Sequence, residues 1–281
     1  MKDLIIGCST NYDWDQLKYW ANSIIQSGFK GEKTLIALNI SYKAAHELMK
    51  KGFQVIVLGK ENPETKSYVY ESRIPVHVER FVHIYNHISN GNYRYVVTTD
   101  VKDVVFQSDP CEWLDQNLVE GKNLVFASES IKYKDEPWGN QNLLETYGHF
   151  IYDRFKNNEI YNVGVLGGRA DAIKDLCLNI FAAALGRPIP ICDQSTFNFM
   201  IMQHPYTDTS MYMKSEDGWA AQLGTTGDPR KIEEFRPNLL EPVPKFFSNK
   251  LTTSKGKEFC IVHQYDRSPA TIKKIIEKTY G

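Results

Sequence analysis

The stretch Tyr95-Val-Val-Thr-Thr-Asp100-Val-Lys-Asp103-Val-Val-Phe106 decides how this chain is read. An apolar, strand-forming run ends in two carboxylates, and an apolar run then resumes. A buried strand that delivers Asp to its C-terminal end is how an open α/β sheet builds a metal or phosphate site. An isolated D-x-x-D has a plainer explanation, a capping Asp followed by a solvated turn Asp. The apolar context on both sides favours the binding explanation, because burying carboxylates is costly unless they hold something.

On the N-terminal side of this stretch the pattern alternates. Leu4–Cys8 reads as a buried strand. Leu17, Trp20, Ala21, Ile24 and Ile25 recur at helical spacing, and Gly28 stops that helix. Thr34–Leu38 is a second strand. Ser41 is placed to cap a helix bearing Ala44, Ala45, Leu48 and Met49, closed by Gly52, and Phe53–Leu58 is a third strand. Strands separated by single helices imply a parallel sheet with right-handed crossovers. Residues 59–75 are polar with two prolines and read as a loop. Phe81, Ile84, Tyr85 and Ile88 share a helical face leading into the fourth strand, Tyr95–Thr99.

On the C-terminal side, Asn123–Ser128 reads as a fifth strand. Residues 130–158 are polar and aromatic with no clean period. Tyr161–Gly168 resumes strand character, and Ile173, Leu176, Cys177, Ile180, Phe181 and Ala184 form a helix face. Asp193 is placed to cap a helix carrying Phe197, Met200 and Ile201. Residues 205–258 look irregular, with short strands around Trp219–Leu223. Phe259–His263 is the last strand, and Ser268-Pro269 opens a final helix. No repeat, low-complexity tract or linker interrupts the chain, so one domain over 1–281 is expected.

The bulk numbers exclude several classes. The 281 residues are 42% hydrophobic and 24% charged, values of an ordinary globular protein with a sizeable core. A net charge of −1 gives no support for nucleic-acid binding. The apolar run Leu4–Ile6 is too short for a signal-peptide core or a membrane anchor. Five scattered cysteines, four of them in apolar runs and none at metal-knuckle spacing, read as buried free thiols in a reducing cytosol.

Five constellations carry the chemistry. Asp100 and Asp103 supply the one or two carboxylates that a divalent ion bridging phosphates wants. His263 ends an apolar strand, where an imidazole either completes a metal shell or is a satisfied structural histidine. Asp193-Gln194 is a helix cap, or a general base or sugar-hydroxyl acceptor facing a cleft. Ser9-Thr10-Asn11 follows the first strand on the ligand-binding edge of a doubly wound sheet, and carries no glycine-rich phosphate loop. The glycines of Asn162-Val-Gly164 and Gly167-Gly168 mark close backbone approach to a ligand, or a bulge.

Taken in order, these motifs resemble the GT-A nucleotide-sugar glycosyltransferases, over most of the chain. The order and spacing are similar to the small soluble enzymes of large algal viruses, chlorovirus xylosyltransferases among them. They also echo the glycogenin-like group, with its N-x-G segment, D-Q pair and late histidine. The resemblance implies an α/β GT-A fold with a Rossmann-like, mostly parallel sheet flanked by helices. It implies a nucleotide-sugar-binding half (1–110) and an acceptor-binding half (111–281). It implies transfer from a UDP-sugar, with UDP-xylose the specific candidate, and Mn²⁺ or Mg²⁺ as cofactor, to a glycan acceptor that a viral enzyme would find on a capsid glycoprotein in the host cytoplasm. Asp100, Asp103 and His263 would hold the metal; Ser9, Thr10, Asn11, Arg80, Asp100, Asn162, Gly164 and Gln194 would bind the donor. Asp193 would be the catalytic base of an inverting enzyme, or a donor-binding residue of a retaining one. The D-x-x-D spacing departs from the family's D-x-D, which leaves open which Asp meets the metal. The aromatics of 133–152 and Trp219 are candidate acceptor-stacking faces. A non-catalytic glycan- or nucleotide-binding module is the rival from another class.

Overall fold

In the computed structural model, which describes residues 1–281, local chemistry sets the first elements. β1 (Lys2–Ser9) leads to α1 (Trp14–Gln26), which Asp13 and Gln16 open as a reciprocal capping box. β2 (Glu32–Ala37) and the two-residue β3 (Ile40–Ser41) follow. The Ser41 hydroxyl accepts from the Ala44 amide to cap α2 (Tyr42–Lys50), and β4 (Gln54–Val57) closes the unit. The segment expected to be a loop instead contains β5 (Lys60–Asn62) and β6 (Ser67–Val69); β6 pairs with both β5 and β3. Strands this short leave no readable period of two.

Next come α3 (Val76–Ser89), β7 (Tyr93–Thr99), β8 (Val104–Phe106) and α4 (Pro110–Asn117), whose cap is Asp109. They are followed by β9 (Leu124–Lys132), α5 (Pro137–Phe155), β10 (Glu159–Arg169), α6 (Ala170–Ala184), α7 (Asp193–Ile201), α8 (Tyr206–Thr209) and β11 (Ser210–Met213). The chain then forms β12 (Ala220–Gln222), α9 (Leu223–Thr226), α10 (Pro229–Phe235), β13 (Lys245–Phe247), β14 (Lys250–Thr252), β15 (Ile261–His263) and α11 (Ala270–Tyr280). The aperiodic stretch 130–158 thus holds a helix, broken at Gly148 (φ 73°, ψ 175°). Its buried face is Gly139, Asn142, Leu143 and Thr146, so the helical spacing is there but one large apolar residue marks it. No helix is long and apolar enough to cross a membrane.

Seven strands form the central sheet in the order β11-β9-β10-β7-β1-β2-β4. β4, β2, β1 and β7 run parallel, and β10 lies antiparallel between β7 and β9. Both faces are covered, which is why β1 and β7 read as continuous apolar runs. Ile5 and Val97 pack into one core with Leu17, Trp20 and Ala44, while Leu4, Ile6 and Val96 pack into the other with Phe81, Ile84 and Ile173. The strand order reverses between β1 and β7, and ligands of open α/β sheets bind at the carboxyl ends of strands flanking such a reversal. A second sheet, β12-β15-β8, stands beside this edge, with His263 opposite Val104. That register brings a strand more than 150 residues distant back beside the acidic pair.

Candidate active site

Asp100 follows the last residue of β7, and its amide donates to the Gly164 carbonyl of β10 at 2.8 Å. Asp103 directly precedes β8, and its carbonyl accepts from the Tyr265 amide at 3.3 Å. His263, on β15, faces both carboxylates: its Nε2 lies 3.4 Å from Asp100 Oδ2 and 3.7 Å from Asp103 Oδ1. The three candidate ligand atoms all lie within 4.8 Å of one another. His263 Nδ1 meets Gln222 Oε1 at 2.7 Å. With Gln222 so oriented, Nδ1 donates and Nε2 carries the lone pair toward the carboxylates, the arrangement of a metal-binding imidazole.

The residues present fit a divalent cation. His263 Nε2 is buried and has no hydrogen-bond partner. Burial opposes charge on His263, but the facing Asp103 and Asp100 outweigh it and raise its pKa. A cation would meet the same pair of carboxylates that otherwise favour a proton. Gly164 provides the room. A Cβ there would stand 2.5 Å from His263 Cε1, 2.7 Å from Asp100 Oδ2 and 2.9 Å from Asn162 Oδ1.

Arg80 of α3 ties the acidic motif to the D-Q pair. Its Nη1 donates to Asp100 Oδ1, and its Nη2 donates to Asp193 Oδ2 at 2.9 Å. Burial raises the Asp100 pKa, but the Arg80 charge and the facing His263 prevail and hold it below the usual carboxylate range. Asp193 does not cap α7, contrary to the expectation: Cys192 holds that position, and Asp193 is the first helical residue, its carboxylate turned to Arg80. An acidic residue in a first turn suits the helix dipole wherever it points, so the sequence pattern of a cap was satisfied by a different geometry.

Asn162, Gly164 and Gln194 meet as one network. Asn162 Oδ1 accepts from the Gly164 amide at 2.7 Å, and Gln194 Oε1 accepts from the Val163 amide at 3.1 Å. Both side-chain amides donate to one oxygen of Glu129, at 2.7 and 2.6 Å. Glu129 was not among the sequence candidates. It is buried within β9, past that strand's apolar run, without a cationic partner. Burial raises its pKa against the lowering effect of the two amides. A carboxyl favoured as the acid in the folded state loses stability as pH rises from the unfolded value, about 4.3, through the folded one. Glu129→Gln keeps both accepted hydrogen bonds and removes the charge. We therefore expect its melting temperature to exceed that of the wild type at pH 7.5 and to converge with it near pH 4; equal melting at both pH values would contradict this.

These groups line two adjoining polar cavities of about 410 and 320 Å³ that share His77, Arg80, Asp100, Gln264 and Arg267. Ser9, Thr10, Tyr12 and Asp103 line the smaller; Glu129, Asn162, Gly164, Asp193, Gln194 and His263 line the larger. Asn11 lines neither. It adopts φ 59° and its amide donates to the Asn39 carbonyl, so it shapes the turn that presents Ser9 and Thr10. Ser130 (φ 58°) and Gln264 (φ 60°) share this left-handed conformation beside Glu129 and His263, and such strain gathers at functional sites. Trp219 is fully buried, with a Cβ at Gly167 falling 2.6 Å from its ring, and Tyr133 is also buried, so neither is a stacking face. Four cysteines are buried, and burial pushes the partly buried Cys8 thiol up to about 12.

No protein-family model and no curated protein matches the sequence. Among solved structures, the chain is similar to the crystal structure of mouse xyloside xylosyltransferase 1 in its apo form, with a TM-score of 0.51 and 13% identity, over 95% of this chain and 99% of that one. At that identity the likeness shows the fold, and the fold is the GT-A-like α/β architecture that the motifs led one to expect.

Proposed function

We propose that this chain is a metal-dependent glycosyltransferase, moving a sugar from a nucleotide diphosphate sugar to a hydroxyl of a glycan acceptor. The observation that carries this reading is that the Asp100–Asp103–His263 cluster stands at the junction of two polar cavities. Asp103 borders the smaller, His263 the larger, and Asp100 both. The smaller draws most of its lining from residues 1–110 and is the nucleotide side. The larger draws most of its lining from 111–281 and is the side of the sugar and acceptor.

Asp100, Asp103 and His263 would hold Mn²⁺ or Mg²⁺, which when bound supplies positive charge against the departing diphosphate. Ser9 and Thr10 meet the nucleoside, and Asn162, Gly164 and Gln194, fixed by Glu129, meet the donor sugar. In an inverting transfer a carboxylate takes the acceptor proton, and Asp193 is the residue assigned to it. Its ion pair with Arg80 favours a second reading, in which Asp193 fixes the donor and the anomeric configuration is retained. A capsid-glycan acceptor and a viral host's cytoplasm belong to the same proposal, with the five free thiols as support for a reducing compartment.

Thermal melts with Mn²⁺ and a panel of nucleotide sugars test the reading, with UDP-xylose tried first. Binding to the folded state at a hundredfold excess over Kd adds about 2.7 kcal/mol of stability. A rise in melting temperature that disappears with EDTA is expected, together with UDP release by donor hydrolysis, the sugar passing to water where no acceptor is supplied. A rise without UDP release would favour a non-catalytic module, and no rise with any donor would reject both. The anomeric proton of the product then distinguishes inversion from retention.

A further inference from the structure

We propose that Trp138 and Ile191 form the platform on which the acceptor sugar lies, and that this acceptor is a pyranoside offering an apolar ring face. The proposal rests on the glycosyltransferase reading above and names the acceptor side of the same site. The larger cavity is lined almost entirely by polar groups; its apolar members are Trp138, Val163 and Ile191. Val163 is buried in its strand, whereas Trp138 is 52% exposed and Ile191 41% exposed. Two large apolar side chains thus remain open to solvent at the wall of one polar cleft.

They are held together by design of the local structure. Trp138 stands in the first turn of α5, and Asn142 lies one turn later on that helix. The Asn142 side chain is buried; its Nδ2 donates to the Ile191 carbonyl at 2.6 Å, and its Oδ1 accepts from the Ser195 hydroxyl of α7. One residue therefore ties the helix bearing Trp138, the loop bearing Ile191 and the helix bearing Asp193 and Gln194. Ile191 is two residues ahead of Asp193, which sets the apolar pair beside the donor-sugar groups. Glu136 and Lys231 line the same cavity and offer polar partners for ring hydroxyls. A pyranoside matches this surface: C–H groups on one face for the indole, and hydroxyls along the edge for the polar rim. A rigid aromatic gains such contact area at little conformational cost.

The test uses saturation-transfer NMR on the full chain with Mn²⁺ and UDP, against the methyl glycosides of glucose, galactose, xylose, mannose and fucose. For at least one of them, saturation of ring C–H protons is expected in the wild type. Its affinity should fall at least about tenfold in W138A, the size expected for truncating an aromatic anchor, and be largely kept in W138F. The UDP-induced melting shift should be the same in all three proteins. A signal that persists undiminished in W138A overturns the platform, as does the lack of any signal in a wild type that shows the UDP shift. Loss of the UDP shift in the wild type itself overturns instead the donor-binding reading on which the platform rests.

Discussion

His263→Ala is expected to lower Mn²⁺ affinity, and metal-dependent donor binding with it, by at least about a hundredfold. Losing a group that merely orients a metal ligand typically costs 10- to 100-fold, and His263 is placed to be a ligand itself. The imidazole also separates the two carboxylates, with Nε2 3.4 Å from Asp100 and 3.7 Å from Asp103. Its removal leaves like charges facing each other across a hole, which weakens the site further. Gly164→Ala makes the same prediction without deleting any candidate ligand. Its added methyl meets His263 Cε1, Asp100 Oδ2 and Asn162 Oδ1 at 2.5–2.9 Å and forces those groups apart. Mn²⁺ titration followed by electron paramagnetic resonance reads both variants directly, with circular dichroism to establish folding. Folded variants that bind Mn²⁺ as the wild type does would remove these residues from the metal site. Loss in His263→Ala with normal binding in Gly164→Ala would mean that the cradle relaxes, and that only the imidazole matters.

Part of this site was legible because its signals are local. Asp100 and Asp103 interrupt apolar strands, and His263 ends one, so each carries a burial cost visible in its neighbours. The register that pairs His263 with Val104 is not local, and the sequence expectation rested on resemblance for that contact. Glu129 was missed for a related reason. It follows an apolar run that reads like any other strand, and its partners Asn162 and Gln194 lie 33 and 65 residues away. Gln222 and Gln264 are equally silent, since a glutamine after a short apolar run carries no pattern. The helix bearing Trp138 was hidden by a buried face of mostly small and polar residues, which packs closely without an apolar stripe. For Asp193 the sequence leaves a cap and a cleft-facing carboxylate both open: the pattern of a cap fixes position, whereas Arg80, 113 residues earlier, fixes where the carboxylate points.

That arginine carries the second large effect. Arg80→Ala is expected to cost about 3–5 kcal/mol, the loss typical of stranding a buried charge. The Arg80 side chain is largely buried, Asp193 more so, and Asp100 partly exposed, so the Asp193 arm accounts for most of the loss. For a chain of this size the melting temperature should fall by roughly 6–20 °C. Arg80→Lys should recover little, because one ammonium cannot span two carboxylates that a guanidinium meets with separate nitrogens. The double variant Arg80→Ala/Asp193→Asn should recover stability by removing the orphaned charge, yet remain inactive. The pH dependence has a definite sign. Arg80 holds the Asp100 pKa below the ordinary value, so its stabilisation is complete above about pH 3.9 and is lost as pH falls through the depressed folded value. The gap between wild type and Arg80→Ala, measured by melts in EDTA, should thus be widest near neutrality and narrow below about pH 4. A gap that is small and independent of pH would make Arg80 a surface-like ion pair, and the bridge between the acidic motif and the D-Q pair would then lie elsewhere.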